Sequence, residues 1–197
     1  MSGGDPGGLS WLLISISAGP DASLRVAVWR QLRKLGAMYL QSSVCLLPDL
    51  PPVAETVNQL VARVRDSGGQ ARVLHVQLDV MDAEAIVAEQ RGERDSEYAE
   101  FVDRTPAFRD EIRSETERGR STYTEVEESE ADLARFDRWL ESITARDYFG
   151  ATGYQAARAA LEACRDALTR FEAAALVVDN AAFAVPTTRR PRALKKA

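Results

Sequence analysis

The chain has 197 residues, enough for one large domain, and its hydrophobic fraction of 45% and charged fraction of 28% are ordinary for a globular protein. The formal net charge of -5 argues against a general nucleic-acid coat protein, although it leaves room for a local basic patch. Apolar runs stay shorter than the roughly 18 residues of a membrane span, and the N-terminus lacks the positive charge of a signal peptide, so we expect a cytoplasmic protein without a membrane partner.

The residue types that build metal, redox and catalytic sites are scarce. The two cysteines, Cys45 and Cys164, lie far apart in apolar patterns, and we interpret both as small buried hydrophobic residues. The single histidine, His75, argues against zinc hydrolases and histidine-containing di-iron bundles. The sequence also lacks a recognisable nucleophile–base pair and a glycine-rich phosphate loop, so we predict no catalytic residue, no metal, no cofactor and no enzyme activity.

The chain begins with a glycine-rich segment, residues 1–8, which we predict to be disordered. The apolar run Leu9–Ser17 then predicts a buried strand. A helix is predicted from Leu24 to Leu35, with Ser23 as its N-cap and Gly36 as the residue that ends it. Further along, the patterns predict a strand over 37–48, a helix over 50–69 and a strand over 70–79.

This order of elements predicts an α+β fold, with a small ferredoxin-like β-α-β-α-β layer over residues 9–80. After residue 80 the strand signals vanish, and acids outnumber bases by about two to one as far as Asp147. Apolar residues recur there at helical spacing, so we predict an acidic antiparallel helical bundle over residues 81–180, packed on the layer as one compact unit. Residues 181–197 are predicted to form a basic flexible tail.

Several short motifs follow one another along the chain, namely "WLL" at 11–13, Arg25 followed by "WR" at 29–30, "LGA" at 35–37, Gln41, Ser43, "LLPD" at 46–49, "DSEYAEF" from Asp95 and "ARDYFGATG" from Ala145. Taken in this order, the motifs resemble the N-terminal domain of the ChrB family of chromate resistance proteins. The resemblance covers residues 11–176, which is nearly all of the predicted folded part.

The resemblance implies a cytoplasmic bacterial protein that is either a chromate-responsive regulator of transcription or an accessory protein of chromate resistance, and that binds DNA through a basic helix face. We expect a homo-oligomer, specifically a dimer. Full-length members of that family carry a second domain, and we expect this chain to stop where that domain would begin, which leaves chromate sensing by this chain open. The alternative is a non-catalytic protein-interaction or oligomerisation module that does not bind DNA.

Arg25 lies at the edge of the apolar stripe of the first predicted helix, which consists of Leu24, Val28, Leu32 and Leu35. A guanidinium at that edge must reach water, pair with a carboxylate or hold an anion. We favour a buried structural pair, in which Arg25 stacks on Trp29 or binds an acid of the bundle such as Glu97 or Asp147. An oxyanion site for chromate, sulfate or a DNA phosphate is the alternative.

Three further bases of this helix, Arg30, Arg33 and Lys34, form a predicted exposed patch. Ordinary solubility is the simpler interpretation of such a patch. The functional interpretation is contact with DNA phosphates, with help from Arg189, Arg190 and Arg192 of the tail.

Overall fold

The computed structural model describes residues 8–19, 21–119 and 122–183, with side chains as far as residue 177. The elements, in chain order, are β1 (Ser10–Ser17), α1 (Ala22–Lys34), β2 (Met38–Gln41), β3 (Val44–Pro48), α2 (Pro51–Asp66), β4 (Gln70–Gln77), α3 (Val80–Glu117), α4 (Tyr123–Thr144) and α5 (Tyr154–Phe183). The chain folds as two compact units, a sheet unit of residues 1–103 and 138–158 and a helical unit of residues 104–137 and 159–197. The predicted packing of layer and bundle into one compact unit stays a prediction.

The sheet unit contains a four-stranded antiparallel sheet with the strand order β2-β3-β1-β4. This strand order, combined with the element order β-α-β-β-α-β, is the ferredoxin-like arrangement. The predicted α+β fold class is therefore confirmed.

One predicted strand is wrong, because the segment 37–48 forms two strands instead of one. Strands β2 and β3 pair as an antiparallel hairpin whose turn contains Ser42 and Ser43. Apolar residues continue on both sides of these two serines, so the sequence pattern hides the turn although serine is a common turn residue.

The two faces of the sheet are covered by different helices of the sheet unit. On one face, Leu12, Ile14 and Ile16 of β1 pack in a single core with the buried stripes of α1 and α2. On the other face, Trp11 packs with Val87 of α3, and its ring lies 5.7 Å from the ring of Phe149. The alternation of side chains along β1 thus places both cores against one strand.

The helical unit has a core of its own. Its buried residues come from the later part of α3, from α4 and from α5, namely Phe108, Ile112, Val126, Cys164, Ala167, Leu168, Phe171 and Ala175. The rings of Phe108 and Phe136 meet edge to face with centroids 5.8 Å apart, a favourable aromatic geometry. The apolar spacing of the sequence predicts this use of helical stripes.

The predicted disordered N-terminus (residues 1–8) and basic tail (residues 181–197) lie outside the described residues except for Gly8 and for residues 181–183, which belong to the end of α5. A membrane-spanning helix is absent from the described part of the chain, where even the 38 residues of α3 include no stretch of sufficient apolar character.

Candidate nucleic-acid interface

Helix α1 begins at an aspartate that satisfies its first free amides. The Asp21 Oδ1 atom accepts hydrogen bonds from the backbone N–H groups of Ser23 (2.9 Å) and Leu24 (3.1 Å) and from the Ser23 hydroxyl (2.7 Å). These hydrogen bonds hold the pKa of Asp21 below its ordinary value, and the bond from the Ser23 hydroxyl has the largest effect. The N-cap is therefore Asp21, and the predicted N-cap at Ser23 is wrong because the helix starts two residues earlier than expected.

The other end of α1 closes on Gly36, as predicted. This glycine has a φ of 73°, in the left-handed region where a side chain is strained. A Cβ atom at Gly36 would lie 3.1 Å from the Cβ of Arg146 and 3.1 Å from the Nη1 of Arg94. Close packing as well as backbone conformation therefore favours glycine here.

Two hydrogen bonds attach this end of α1 to the rest of the sheet unit. The Gln90 side-chain amide donates to the Gly36 carbonyl (3.0 Å), and the Tyr148 hydroxyl donates to the Leu35 carbonyl (2.8 Å). Both carbonyls belong to the helix terminus, where they lack partners within the helix. These two bonds attach the C-terminal end of α1 to α3 and to the segment that follows α4.

The two sides of α1 differ sharply in burial. The predicted apolar residues Leu24, Val28 and Leu32 are 5%, 5% and 3% exposed. The structure places the predicted basic residues on the exposed side, namely Arg30, Arg33 and Lys34. With the described residues, these three side chains form no ion pair.

An aromatic side chain adjoins this basic face. The guanidinium carbon of Arg33 lies 5.0 Å from the centroid of the Trp29 ring, within cation–π range. The Trp29 side chain is also among the exposed large hydrophobic residues, at 47%. The exposed side of α1 therefore places bases that have no acidic partner among the described residues next to the exposed ring of Trp29.

The predicted buried pair at Arg25 is wrong, because Arg25 is exposed. Its Nη2 donates to the Gly19 carbonyl (3.2 Å), a local bond within the turn before α1. Glu97 pairs with Arg94 and Arg146, and Asp147 accepts a hydrogen bond from Tyr98. The ring of Trp29 contacts the guanidinium of Arg33 and not that of Arg25. Arg25 lies one residue beyond Leu24, at the exposed edge of the contact of α1 with the sheet, so its guanidinium reaches water and needs no buried carboxylate.

The buried arginine of the sheet unit is Arg94, at 5% exposed. Its Nε lies 2.9 Å from Oε2 of Glu97, in an ion-pair contact rather than an aligned hydrogen bond. The other oxygen of Glu97 accepts a hydrogen bond from Nη2 of Arg146 (2.9 Å). The buried position of Arg94 was not predicted from the sequence. The helical spacing could have shown it, because Arg94 falls within a buried stripe of α3. The stripe consists of Ala83, Val87, Gln90, Arg94, Tyr98 and Phe101.

The remaining reactive side chains offer little chemistry. His75 is largely exposed, and its Nδ1 lies 2.7 Å from the Asp49 carboxylate. Cys45 and Cys164 are buried, as predicted, and burial raises the pKa of the Cys45 thiol to about 12. Within residues 8–19, 21–119 and 122–183, no three histidine, cysteine or acidic side chains are placed to hold a metal ion.

The tail residues Arg189, Arg190 and Arg192 lie outside the described residues, so their predicted help in phosphate contact stays a prediction. The geometry of the candidate interface therefore rests on α1 alone.

Comparison with known proteins gives the family. The family model described as "Protein ChrB, N-terminal" matches residues 25–189. Protein ChrB of Cupriavidus metallidurans is 30% identical over 145 residues, which cover 71% of this chain and 40% of that protein, so the chain spans less than half the length of this relative. No solved structure matches. The chain belongs to the ChrB N-terminal domain family.

Proposed function

We propose that this chain acts in chromate resistance as a DNA-binding regulator of transcription, and that the exposed basic face of α1 contacts DNA phosphates. Membership of the ChrB family supports a role in chromate resistance. Because the chain spans 40% of the ChrB relative, the activity of a whole ChrB protein enters here as part of the proposal. The role requires no catalysis and belongs in the cytoplasm.

The observation that carries the proposal is the exposed set of bases on α1, Arg30, Arg33 and Lys34, which have no acidic partner among the described residues. A base that is already paired within the protein has to lose its carboxylate before it binds a phosphate. A free base instead displaces the counterions of DNA directly, which drives association. The three bases lie in the last two turns of α1, next to the end that Gln90 and Tyr148 attach to the rest of the sheet unit.

The overall charge restricts how DNA can approach. The chain is acidic as a whole, with a formal net charge of -5, and α4 alone carries acids from Glu125 to Glu141. These acids repel a phosphate backbone, so the proposed contact involves the basic face of α1 and not α4. We also propose a dimer, because two copies of one basic helix can contact two half-sites of DNA.

The direct test is the binding of the chain to a fluorescent duplex taken from the DNA upstream of its own gene, measured by anisotropy at low salt. A scrambled duplex of equal length is the control, and each titration is repeated with chromate. We expect tighter binding to the upstream duplex and weaker binding in the presence of chromate. Absence of binding at low salt would exclude the DNA-binding role.

A second candidate function is a protein-interaction or oligomerisation module without DNA binding. The exposed apolar side chains of Leu176 and Val177 on α5, at 51% and 69%, favour this alternative. Sedimentation of the chain without DNA, compared with the variant Leu176→Glu together with Val177→Glu, tests it. A concentration-dependent dimer that these substitutions abolish, in a chain that binds no DNA, would support the alternative over the regulator.

A further inference from the structure

The sheet unit contains a cavity of about 310 Å³ between α1, β1 and the β2–β3 hairpin. Its floor is apolar and includes Ile14 and Ile16 of β1 with Val28 and Leu32 of α1. The volume falls at the lower end of the range of about 300–1,000 Å³ that is usual for small-molecule sites. A mostly apolar cavity of this size suits one small organic molecule.

The polar side chains that line the cavity are few. Apart from the aromatic residues Trp29 and Tyr39 and the buried Cys45, they belong to Arg25, Ser42 and Ser43. Arg25 makes one hydrogen bond with the described residues, to the Gly19 carbonyl, whereas a guanidinium carries five N–H donors. The nearby carboxylate of Asp21 is engaged in capping α1. Arg25 therefore has donors left for an anionic group of a ligand.

The aromatic residues at the cavity are incompletely covered. Trp29 and Tyr39 both line it, and they remain 47% and 36% exposed. An apolar ligand body would remove part of this surface from water, which is favourable in proportion to the area covered. Burial raises the pKa of Tyr39 and of Cys45 to about 12, so both stay neutral at physiological pH and the charge of the lining comes from Arg25.

We propose that this cavity binds a small amphipathic carboxylate, with its carboxylate at Arg25 and its apolar body over Ile14, Ile16 and Val28. A guanidinium binds a carboxylate through two parallel hydrogen bonds, which fixes the orientation of the ligand. A bare tetrahedral oxyanion would leave the apolar floor unfilled, so recognition requires the apolar body. This inference goes beyond the DNA-binding role and does not depend on it.

The test uses octanoate as the probe and calorimetric titration of the full chain. Octanamide has the same apolar body without the charge, and sulfate has charge without an apolar body. We expect octanoate to bind about tenfold or more tightly than octanamide, since a charge-assisted hydrogen bond is worth about 1.5–3 kcal/mol. Sulfate is expected to bind more weakly than octanoate.

Two variants and one matched control locate the site. Arg25→Gln is expected to weaken octanoate binding by about tenfold and to make octanoate and octanamide equal. Ser43→Phe, at an exposed turn position, places a ring in the cavity and is expected to abolish binding of both probes. Arg30→Gln removes a base of the same helix that does not line the cavity, and it should leave octanoate affinity unchanged.

Thermal melting and circular dichroism of each variant establish that it is folded. Absence of octanoate binding to the unaltered chain would overturn the proposal. So would octanoate binding that Arg25→Gln and Ser43→Phe leave unchanged, or sulfate binding as tight as that of octanoate. Because DNA affinity is measured separately, loss of the DNA-binding role would leave these outcomes as they stand.

Discussion

The exposed face of α1 and the buried stripe of α3 use the same side chain in opposite ways. On α1, Arg30 and Arg33 extend into water without an acidic partner among the described residues. On α3, Arg94 is 5% exposed and lies against Glu97. The position of an arginine relative to the apolar stripe of its helix therefore decides its role. An arginine inside the stripe must be paired, whereas one outside it remains available to a ligand.

Charge composition sharpens the contrast between α1 and α4. Helix α1 contains four basic residues and no acidic residue, whereas α4 contains seven acidic residues and two arginines. Arg135 of α4 pairs with Asp132 one turn away, as expected where acids surround each base. Anion binding is therefore favoured on α1 and opposed by α4 on electrostatic grounds.

The largest expected effect on stability is that of Arg94→Ala. The substitution removes a buried guanidinium that pairs with Glu93 and Glu97, and Glu97 keeps its hydrogen bond from Arg146, so we expect the free energy of unfolding to fall by about 1.5–3 kcal/mol. Arg113→Ala is the matched control, because it removes an exposed pair with Asp110 one turn away and should cost about 0.5 kcal/mol or less. Urea unfolding of both variants measures the difference. Equal decreases in the free energy of unfolding for the two variants would contradict the different roles of the buried Arg94 and the exposed Arg113.

A smaller loss is expected for Gly36→Ala. A left-handed residue with a side chain costs about 1–2 kcal/mol, and the new Cβ must also displace Arg94 or Arg146. Gly68→Ala supplies the control, because Gly68 has a similar φ of 79° and no atom within 4 Å of a new Cβ. The difference between the two variants in urea unfolding isolates the contribution of close packing. If Gly68→Ala costs as much as Gly36→Ala, packing at the end of α1 contributes nothing.

The N-cap of α1 gives a dependence on pH. Hydrogen bonds from Ser23 and Leu24 lower the pKa of Asp21 below 3.8, so its ionised form is favoured in the folded chain. The stability that Asp21 contributes as an anion is complete above about pH 4 and is lost as pH falls through the lowered pKa. Melting temperatures of the unaltered chain and of Asp21→Ala should therefore differ at neutral pH and converge in acid. A constant difference down to pH 2 would contradict this account.

The smallest effect is expected for Arg25→Ala. Because Arg25 is exposed and its described hydrogen bond is a local one to Gly19, the free energy of unfolding should change by less than about 0.5 kcal/mol. Urea unfolding measures the change. A loss of several kcal/mol would show that Arg25 is a structural arginine like Arg94.

The sequence predicted those features that depend on local periodicity. The buried stripe Leu24, Val28 and Leu32 of α1 follows from helical spacing, and the buried strand β1 follows from its apolar run. The hairpin turn at Ser42 and Ser43 was missed because apolar residues flank it on both sides. The partner of Glu97 was also missed, since Arg146 lies 49 residues away and meets it only through tertiary structure.

The candidate interface was predictable to a similar extent. Exposure of Arg30, Arg33 and Lys34 follows from their position opposite the apolar stripe, so the sequence located them correctly. Among the described residues these three bases have no acidic partner, which depends on the residues that surround α1 in the fold. A sequence pattern does not show which residues those are. The cavity beside Arg25 is likewise a product of how α1 and the hairpin lie on the sheet.

The central claim, that α1 contacts DNA phosphates, is tested most directly by the salt dependence of DNA affinity. The logarithm of the association constant should fall linearly with the logarithm of the salt concentration, by about 0.9 for each phosphate bound. We predict that neutralising Arg30, Arg33 and Lys34 together to glutamine reduces the magnitude of this slope by about 0.9 for each phosphate that the variant no longer binds, whereas Arg113→Gln leaves it unchanged. An identical slope for the triple variant and the unaltered chain would contradict the claim.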